Sequence, residues 1–172
     1  LSRIFEFNGC KVFRTNYQGD IGPHVAKCIW GYLHLGMKEP ALESERGKWL
    51  GVLYAEASKK AKNDTEVAEQ VGEINKKIYG NDKKIMEIWK KTRNWSLKYF
   101  DKIYLDFGAK FDKLYFESQT AAPGVKTVKS LLKRKLAKIS DSAVIVELSD
   151  KDNLGNFLIL KSDGTPLYST KD

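Results

Sequence analysis

The chain has 172 residues, 42% of them hydrophobic, which is enough for one ordinary domain or slightly more with a genuine core. Its 30 basic residues against 22 acidic ones give a net charge of +8, which favours a polyanionic partner such as RNA without specifying a function. No apolar run approaches a membrane span and the first residues lack the layout of a signal peptide, so we expect a cytoplasmic protein that does not bind a membrane.

The chain contains two cysteines, Cys10 and Cys28. They are too few for a disulfide framework, and they have neither metal-ligand spacing nor a histidine cluster beside them. We therefore expect buried, reduced thiols and no metal site.

Residues 1–37 show the rhythm of a parallel α/β sheet. The predicted elements are a helix, a strand, a loop and a helix at residues 1–8, 10–13, 15–23 and 25–35. Ligand loops in such sheets lie beyond the carboxyl ends of the strands. Within the loop, Gly19 and Gly22 indicate a special backbone conformation or close packing, and Asp20 indicates a turn or a helix cap.

Residues 38–107 hold most of the charged positions and predict three helices, at residues 42–62, from Asp64 to Gly80, and after Asn81-Asp82. In the third helix, apolar and aromatic side chains recur every three or four residues, at Ile85, Ile88, Trp89, Thr92, Trp95, Tyr99, Ile103 and Tyr104. Trp89 and Trp95 stand among lysines and could contact RNA, but packing in a core is the favoured explanation.

A helix end and a strand follow at residues 107–118. Gly108 fits a helix C-terminal position, and Phe111–Phe116 predicts a strand with Phe111 in the core. Glu117, which precedes Ser118, is either a pocket residue or a helix cap, and the cap is favoured.

Residues 124–139 predict a helix with one apolar face and many lysines elsewhere. Such a helix can contact a phosphate backbone or a membrane surface, although a solvated outer face is the favoured explanation. Two strands are expected next, at residues 143–148 and 156–160, joined by a hairpin-like connection.

The end of the chain predicts a strand, a turn and a helix start. The strand Asn156–Leu160 is expected to be buried, Asp163-Gly164 indicates a turn, and a helix should begin at Ser169 or Thr170. Tyr168 and Asp172 can then face one pocket and suit a cationic, planar ligand head. The alternative is a capping box formed by Ser169 and Asp172, with Tyr168 a half-buried strand residue, and local pattern alone favours this alternative.

Three segments resemble one family in the same order. Asn16–Gly22 resembles its N-x-x-G-D-x-G segment, Gly108–Ser118 its L-G-V-x-F-D-x-x-x-x-E-S segment, and Lys161–Asp172 its K-S-D-G-T-x-x-Y-x-T-R-D segment. The family is that of the arginyl-tRNA synthetases, which are class I aminoacyl-tRNA synthetases. His24 stands where many members have Gln, and the Gly-Pro-His version resembles the archaeal or a related branch.

The resemblance implies an α/β fold: a Rossmann-like class I catalytic domain, with a partial parallel sheet, interrupted by a helical insertion. Residues 1–37 and 108–172 would belong to the catalytic fold, and residues 38–107 would form the insertion. The implied activity is that of an arginine-tRNA ligase in translation. Such an enzyme joins arginine to ATP, supplied with Mg²⁺, and transfers the arginyl group to tRNA-Arg.

Carried over residue by residue, Tyr168 and Asp172 match the positions that bind the substrate arginine. The other motif positions, with structural or pocket roles, are Asn16, Gly19, Asp20, Gly22, Glu117 and Ser118. No catalytic residue is assigned, because the family's H-x-G-H and K-M-S-K-S-like motifs are expected before Leu1 and after Asp172. We therefore expect a piece of a catalytic domain that is inactive alone. The competing hypothesis is a non-catalytic, basic RNA-binding or interaction module.

Overall fold

The computed structural model describes residues 1–148 and 155–171. It divides the chain into two compact units, Leu1–Tyr115 and Phe116–Asp172. The boundaries that the resemblance implies, after residues 37 and 107, stay predictions. In the described part of the chain, no helix combines the length and the apolar character needed to cross a membrane.

The first unit is mostly helical. Its elements in chain order are α1 (Ser2–Phe7), β1 (Thr15–Gln18), α2 (Pro23–His34), α3 (Glu43–Asn63), α4 (Thr65–Tyr79), α5 (Lys83–Asp106) and all but the last residue of β2 (Lys113–Phe116). β1 and β2 form a small parallel sheet, and the helices between them make the crossover that parallel strands require. The α/β class and the helices expected over residues 38–107 are thus confirmed.

Side-chain caps set where α4 and α5 begin. The Asp64 carboxylate accepts hydrogen bonds from the backbone N–H groups of Glu66 and Val67, and Asp82 accepts one from Ile85 N–H. Such caps satisfy donors that have no partner within the helix. Both helices were predicted to begin at these positions, and both starts are confirmed.

The core of the first unit lies where α2, α3 and α5 meet. Leu50, Leu53 and Trp95 are buried together there. A Cβ added to Gly31 would lie 2.8 Å from the Leu53 carbonyl oxygen, so α2 and α3 approach closely because position 31 has no side chain. Trp89 and Trp95 are only 9% and 4% exposed, which confirms the core explanation for these aromatics.

The second unit packs one long helix against an antiparallel sheet. Its elements are α6 (Glu117–Lys133), β3 (Lys138–Ser140), β4 (Ala143–Glu147), β5 (Asn156–Leu160) and α7 (Tyr168–Lys171). The sheet order is β3-β4-β5, with Val144 opposite Leu160 and Ile145 opposite Leu158. Val128, Val144 and Ile159 form its core. Most of the predicted β4–β5 connection, residues 149–154, lies outside the described residues.

Several predictions for the first unit are wrong. The strand expected at residues 10–13 lies at Thr15–Gln18 instead, because pairing begins at Arg14, whose carbonyl oxygen accepts from Asp112 N–H over 2.8 Å. Phe111 is not a core residue, since it is 36% exposed. Cys10 is exposed, so only Cys28 is shielded.

Other predictions are wrong in the second unit. The helix expected at residues 124–139 begins at Glu117 and ends at Lys133, and Ile139 belongs to β3. The lysines of α6 are solvated, as the favoured explanation requires. β5 is not a buried strand, because Ile159 is its one described residue in the core while Phe157 and Leu158 are exposed.

Candidate functional site

The candidate site is built on the segment that joins β5 to α7. Gly164 N–H donates to Lys161 O over 3.0 Å, and Lys161 N–H donates to Thr165 O over 3.2 Å, which closes a turn. The Asp163 carboxylate accepts from both the N–H and the hydroxyl of Thr165, at 2.9 and 2.6 Å. Gly164 has a φ of +78°, which glycine adopts without strain. The predicted Asp163-Gly164 turn is therefore confirmed.

α7 is a single helical turn that side-chain hydrogen bonds fasten to β5. Ser169 Oγ donates to Leu158 O over 2.7 Å, and Thr170 Oγ1 donates to Ile159 O. Leu167 N–H donates to Thr170 Oγ1 over 3.0 Å. A helix of four residues is unstable by its own hydrogen bonds, so these anchors determine where it lies.

The start of α7 differs from the predictions. The helix begins at Tyr168 rather than at Ser169 or Thr170. The Ser169 hydroxyl donates to β5, so its described bond is not the one a capping box requires. Asp172, the other member of that box and of the expected ligand pair, lies outside the described residues.

The backbones of α6 and α7 touch at Gly124. A Cβ added to Gly124 would lie 2.0 Å from the Thr170 carbonyl oxygen, a distance that no real Cβ contact shows. Gly124 lies inside α6, where glycine costs stability relative to alanine. Because Gly124 has no side chain, the backbone of α7 can lie directly against α6.

A buried ion pair joins the first residue of α6 to the last residue of α7. Lys171 Nζ donates to Glu117 Oε2 over 3.0 Å. Glu117 is 2% exposed and Lys171 is 8% exposed. The Glu117 side chain therefore binds Lys171, whereas a cap on backbone N–H groups was favoured. Removing one partner of such a pair leaves an uncompensated buried charge.

Tyr168 combines an anchored backbone with an open side chain. The residue is 65% exposed, although it is the first residue of α7. Lys171 Nζ lies 4.8 Å from the centroid of its ring, within the range of a cation–π contact. The half-buried strand position offered as the alternative is wrong. The exposed phenol is available to a ligand.

In the first unit, the predicted motif residues lie in β1 and in the loop that follows it. Asn16 Nδ2 and Gln18 Nε2 both donate to Tyr104 Oη, over 2.9 and 2.8 Å. Gly19 O lies 3.0 Å from His24 Nε2. Gly22 has a φ of +113° and precedes the first residue of α2, so the predicted backbone role of this glycine agrees with the geometry.

Asp20 connects this loop to α5. Its Oδ2 accepts from Arg93 Nε over 2.8 Å, and its carbonyl oxygen accepts from Trp89 Nε1 over 2.6 Å. Asp20 is only 8% exposed, so its charge requires such a partner. The described contacts of Asp20 thus tie the loop to the long helix.

A cavity of about 450 Å³ lies beside Asp20 within the first unit. One part of its wall is polar, with Gln18, Asp20 and Arg93, and much of the rest is apolar or aromatic, including Leu50 and Phe100. This volume falls in the range of small-molecule sites. Gln18 and Asp20 of this wall belong to the predicted segment Asn16–Gly22, whereas Arg93 comes from α5.

Cys28 also lines this cavity, where its side chain is partly exposed. Burial raises the pKa of its thiol from 9.0 to about 11, so the thiol stays protonated at neutral pH. Among residues 1–148 and 155–171, no group of three or more His, Cys, Asp or Glu side chains could hold a metal ion. Ser118 lies in the first turn of α6 and is partly exposed.

Sequence reasoning missed the partners that hold these residues. Lys171 was not singled out, although the motif quoted for the family carries a basic residue at that position. Arg93 was missed as the partner of Asp20, because the two are 73 positions apart and neither follows a periodic pattern. Tyr104 was seen only as part of an apolar stripe.

Comparisons with known proteins identify the same family that the three sequence segments resemble. The family model for the catalytic domain of class I tRNA synthetases (R) matches residues 1–172. The arginine–tRNA ligase of Bdellovibrio bacteriovorus is 33% identical over 178 residues, covering 99% of this chain and 30% of that protein. That of Treponema denticola is 33% identical over 179 residues, covering 100% of this chain and 30% of that protein. The chain thus spans about 30% of the length of these curated relatives.

Solved structures agree with the fold. The arginyl-tRNA synthetase of Plasmodium falciparum superposes with a TM-score of 0.67 at 28% identity, over 99% of this chain and 28% of that one. A putative arginyl-tRNA synthetase from Campylobacter jejuni gives a TM-score of 0.57 at 18% identity, over 99% of this chain and 36% of that one, and supports the fold alone. The predicted class I catalytic fold is confirmed, whereas the archaeal-like branch stays a prediction.

Proposed function

This chain belongs to the family of class I arginyl-tRNA synthetase catalytic domains, and we propose that the protein carrying it is an arginine-tRNA ligase. It would join arginine to ATP with release of pyrophosphate and then transfer the arginyl group to tRNA-Arg. The observation that carries the proposal is the exposed Tyr168 at the start of α7, in the segment that resembles the arginine-binding motif of the family.

Tyr168 and Asp172 are proposed to bind the arginine side chain. A guanidinium presents a planar fork of N–H donors that one carboxylate accepts at two points, and an aromatic ring can stack on the same group. Tyr168 has the exposure that such a contact needs. A lysine ammonium is a compact point charge and would bind to Tyr168 and Asp172 less tightly.

The motif residues of the first unit are proposed to support the fold rather than to react. Asp20 binds Arg93, and Asn16 binds Tyr104, so each holds the end of β1 against α5. Gly19 and Gly22 would shape the loop, and Ser118 would remain a pocket or structural residue. Enzymes that use ATP usually bind Mg²⁺ in large part through the phosphates of the nucleotide. We therefore propose that Mg²⁺ enters the site with ATP. A cytoplasmic location remains part of the proposal.

The test is arginine-dependent exchange of pyrophosphate into ATP by the intact protein in the presence of tRNA-Arg, because the resemblance implies that tRNA is generally needed for the first step. We expect exchange with arginine and much less with lysine. Asp172→Ala should raise the KM for arginine severely while changing the KM for ATP little, since the lost carboxylate contacts the amino acid. Near-normal arginine activation by Asp172→Ala would remove this residue from the site.

A second candidate is a non-catalytic RNA-binding module, which the exposed lysines of α6, Lys126, Lys129 and Lys133, favour. Such a module would bind tRNA with a steep salt dependence, because binding releases counterions from the phosphates. It would not respond to arginine. Filter binding of tRNA at several salt concentrations, with and without arginine, separates the two candidates.

A further inference from the structure

The cavity of the first unit has a buried floor and exposed aromatic side chains. Leu50 and Trp89, which line it, are only 4% and 9% exposed. Tyr54 and Phe100 also line it and are 41% and 37% exposed, so they lie towards the solvent. Concave, largely apolar sites with a few polar groups are typical of small-molecule binding. The volume of about 450 Å³ is sufficient for a ligand of two fused rings.

Two glycines of α3 show where the cavity opens between α3 and α5. A Cβ added to Gly47 would lie 2.3 Å from Tyr99 Cβ, so the two helices are in contact there. A Cβ added to Gly51 would meet no heavy atom within 4 Å, although Gly51 lines the same cavity. Four residues correspond to about 6 Å along a helix. Open space therefore begins one helical turn after the contact, and a longer side chain has room at position 51.

Two polar groups of the cavity wall lack a partner in the part of the chain that the structure describes. Gln18 is 9% exposed, and its Nε2 donates to Tyr104 Oη, but no described residue donates to its Oε1. The Ser96 hydroxyl makes no hydrogen bond to a described residue either. Neither oxygen belongs to the described atoms that are both fully shielded and unpaired, so both can be reached from the cavity. A ligand N–H or O–H group would supply the missing hydrogen bond.

The charged side chains of the wall neutralise each other. Asp20 Oδ2 accepts from Arg93 Nε over 2.8 Å, and among the described residues that line the cavity these are the only Asp, Glu, Lys or Arg. The Cys28 thiol is neutral, because burial raises its pKa to about 11. A charged ligand would bring a charge without a counterion into this wall, and its loss of water is costly. A neutral ligand avoids that cost.

We propose that this cavity is a binding site for a small, neutral, aromatic molecule that carries a hydrogen-bond donor. The rings of the ligand would pack between side chains of α3 and α5, and its donor would bind Gln18 Oε1. The site consists of residues of the first unit alone. The inference therefore goes beyond the proposed ligase activity and does not depend on it.

The experiment is isothermal titration calorimetry of the intact protein with three probes that share a naphthalene ring. At neutral pH, 2-naphthamide is neutral and offers an N–H donor, 2-naphthoate is an anion, and 2-(aminomethyl)naphthalene is a cation. We expect 2-naphthamide to bind with a Kd of about 10–100 μM, as is reasonable for a ligand of this size. It should bind at least about tenfold more tightly than either charged probe.

Gly51→Leu tests whether the probe binds in this cavity. The leucine side chain takes up the open space at position 51 and should weaken 2-naphthamide at least about tenfold. Position 51 is an exposed helical position, where leucine favours the helix more than glycine does, so the variant should fold. Gly72→Leu is the matched control. A Cβ at position 72 also meets no heavy atom within 4 Å, but Gly72 does not line the cavity, so the Kd should stay unchanged.

Gln18→Met tests the hydrogen bond and decides the case even if Gly51→Leu does not fold. The substitution removes the acceptor, while Asn16 Nδ2 still donates to Tyr104 Oη. A fourth probe, 2-acetylnaphthalene, has the shape of 2-naphthamide but no donor. The wild-type protein should prefer 2-naphthamide over this probe by a factor of about five, and Gln18→Met should bind the two equally.

Four results would overturn the inference. They are an absence of saturable binding, as expected if another segment of the intact protein fills the cavity; a Kd that Gly51→Leu leaves unchanged; a charged probe that binds as tightly as 2-naphthamide; and a preference for 2-naphthamide that persists in Gln18→Met. Arginine-dependent pyrophosphate exchange is measured separately. Its absence would overturn the proposed function and leave this binding site standing.

Discussion

The two units hold their functional residues by different means. In the first unit, apolar and aromatic side chains at helical spacing pack α2, α3 and α5 around Leu53 and Trp95. In the second unit, the helix that carries Tyr168 is held by hydroxyl groups, a buried ion pair and a glycine contact. The comparison teaches that a periodic apolar pattern specifies a scaffold, whereas polar contacts of no fixed period place the proposed ligand-binding residue.

The ion pairs show the same difference. Lys98–Glu43 and Lys76–Glu73 in the first unit join side chains that are about half exposed. Pairs of this kind contribute little, because water already solvates both charges. Glu117 and Lys171 are nearly inaccessible to water, so each depends on the other.

The largest effect on the free energy of unfolding is expected from a substitution in the core of the first unit. Trp95→Ala should lower the free energy of unfolding by about 3–5 kcal/mol, because it removes a buried ring that contacts Tyr32 and Trp49. Denaturant unfolding followed by the fluorescence of the remaining tryptophans, all in the first unit, measures it. Phe107→Ala, at a residue that is 81% exposed, is the control and should change stability by about 0.5 kcal/mol or less. Equal effects of the two substitutions would contradict this account of the core.

The second prediction uses Cys28 as a probe of the same core. Because burial raises the pKa of its thiol from 9.0 to about 11, its thiolate fraction below pH 9 should be about a hundredfold below that of an ordinary thiol. The buried, neutral Cys28 thiol therefore makes its full contribution to the free energy of unfolding below pH 9. This contribution is lost as the pH rises towards 11, because the thiol of the unfolded chain ionises first. Iodoacetamide should label the exposed Cys10 first, and labelling of Cys28 at the same rate at pH 8 would show that the thiol is open.

The third prediction tests the contact between α6 and α7. Gly124→Ala should destabilise the second unit by about 1–3 kcal/mol, because the new Cβ meets the Thr170 carbonyl oxygen. Hydrogen exchange at the Thr170 and Lys171 amides, which donate to Leu167 O, should become faster. Gly72→Ala is the matched control, since a Cβ there meets nothing and should stabilise α4 by about 0.5–1 kcal/mol. Destabilisation by both substitutions alike would contradict the proposed role of Gly124.

Much of the scaffold could be predicted because its physical basis is local. Neighbouring residues determine where α4 and α5 begin, at Asp64 and Asp82. They also determine the three- and four-residue spacing of the apolar side chains in α5. The Asp163-Gly164 turn is likewise local, since Asp163 bonds to a residue two positions away. The helix starts, the spacing and the turn were predicted, and each is present.

The errors arose where distant groups decide the local structure. β1 was placed too early because Gln18 is a buried polar residue, and its partner Tyr104 is 86 positions away. α6 was started at Gly124 because proline and glycine usually end helices, yet Gly124 is inside this helix to admit α7. The role of Glu117 depends on Lys171, 54 positions away, and no short pattern indicates it.

The central claim is that the anchored α7 presents Tyr168 to an arginine side chain. Arginine-dependent pyrophosphate exchange by the intact protein, measured with tRNA-Arg present, tests it most directly when Tyr168→Ala is compared with Tyr115→Ala. Tyr115 is also exposed and has the Lys113 ammonium 4.7 Å from its ring centroid, so it is a matched control. We predict a raised arginine KM for Tyr168→Ala alone, with the KM for ATP unchanged. An equal effect of both substitutions, or of neither, would contradict the account.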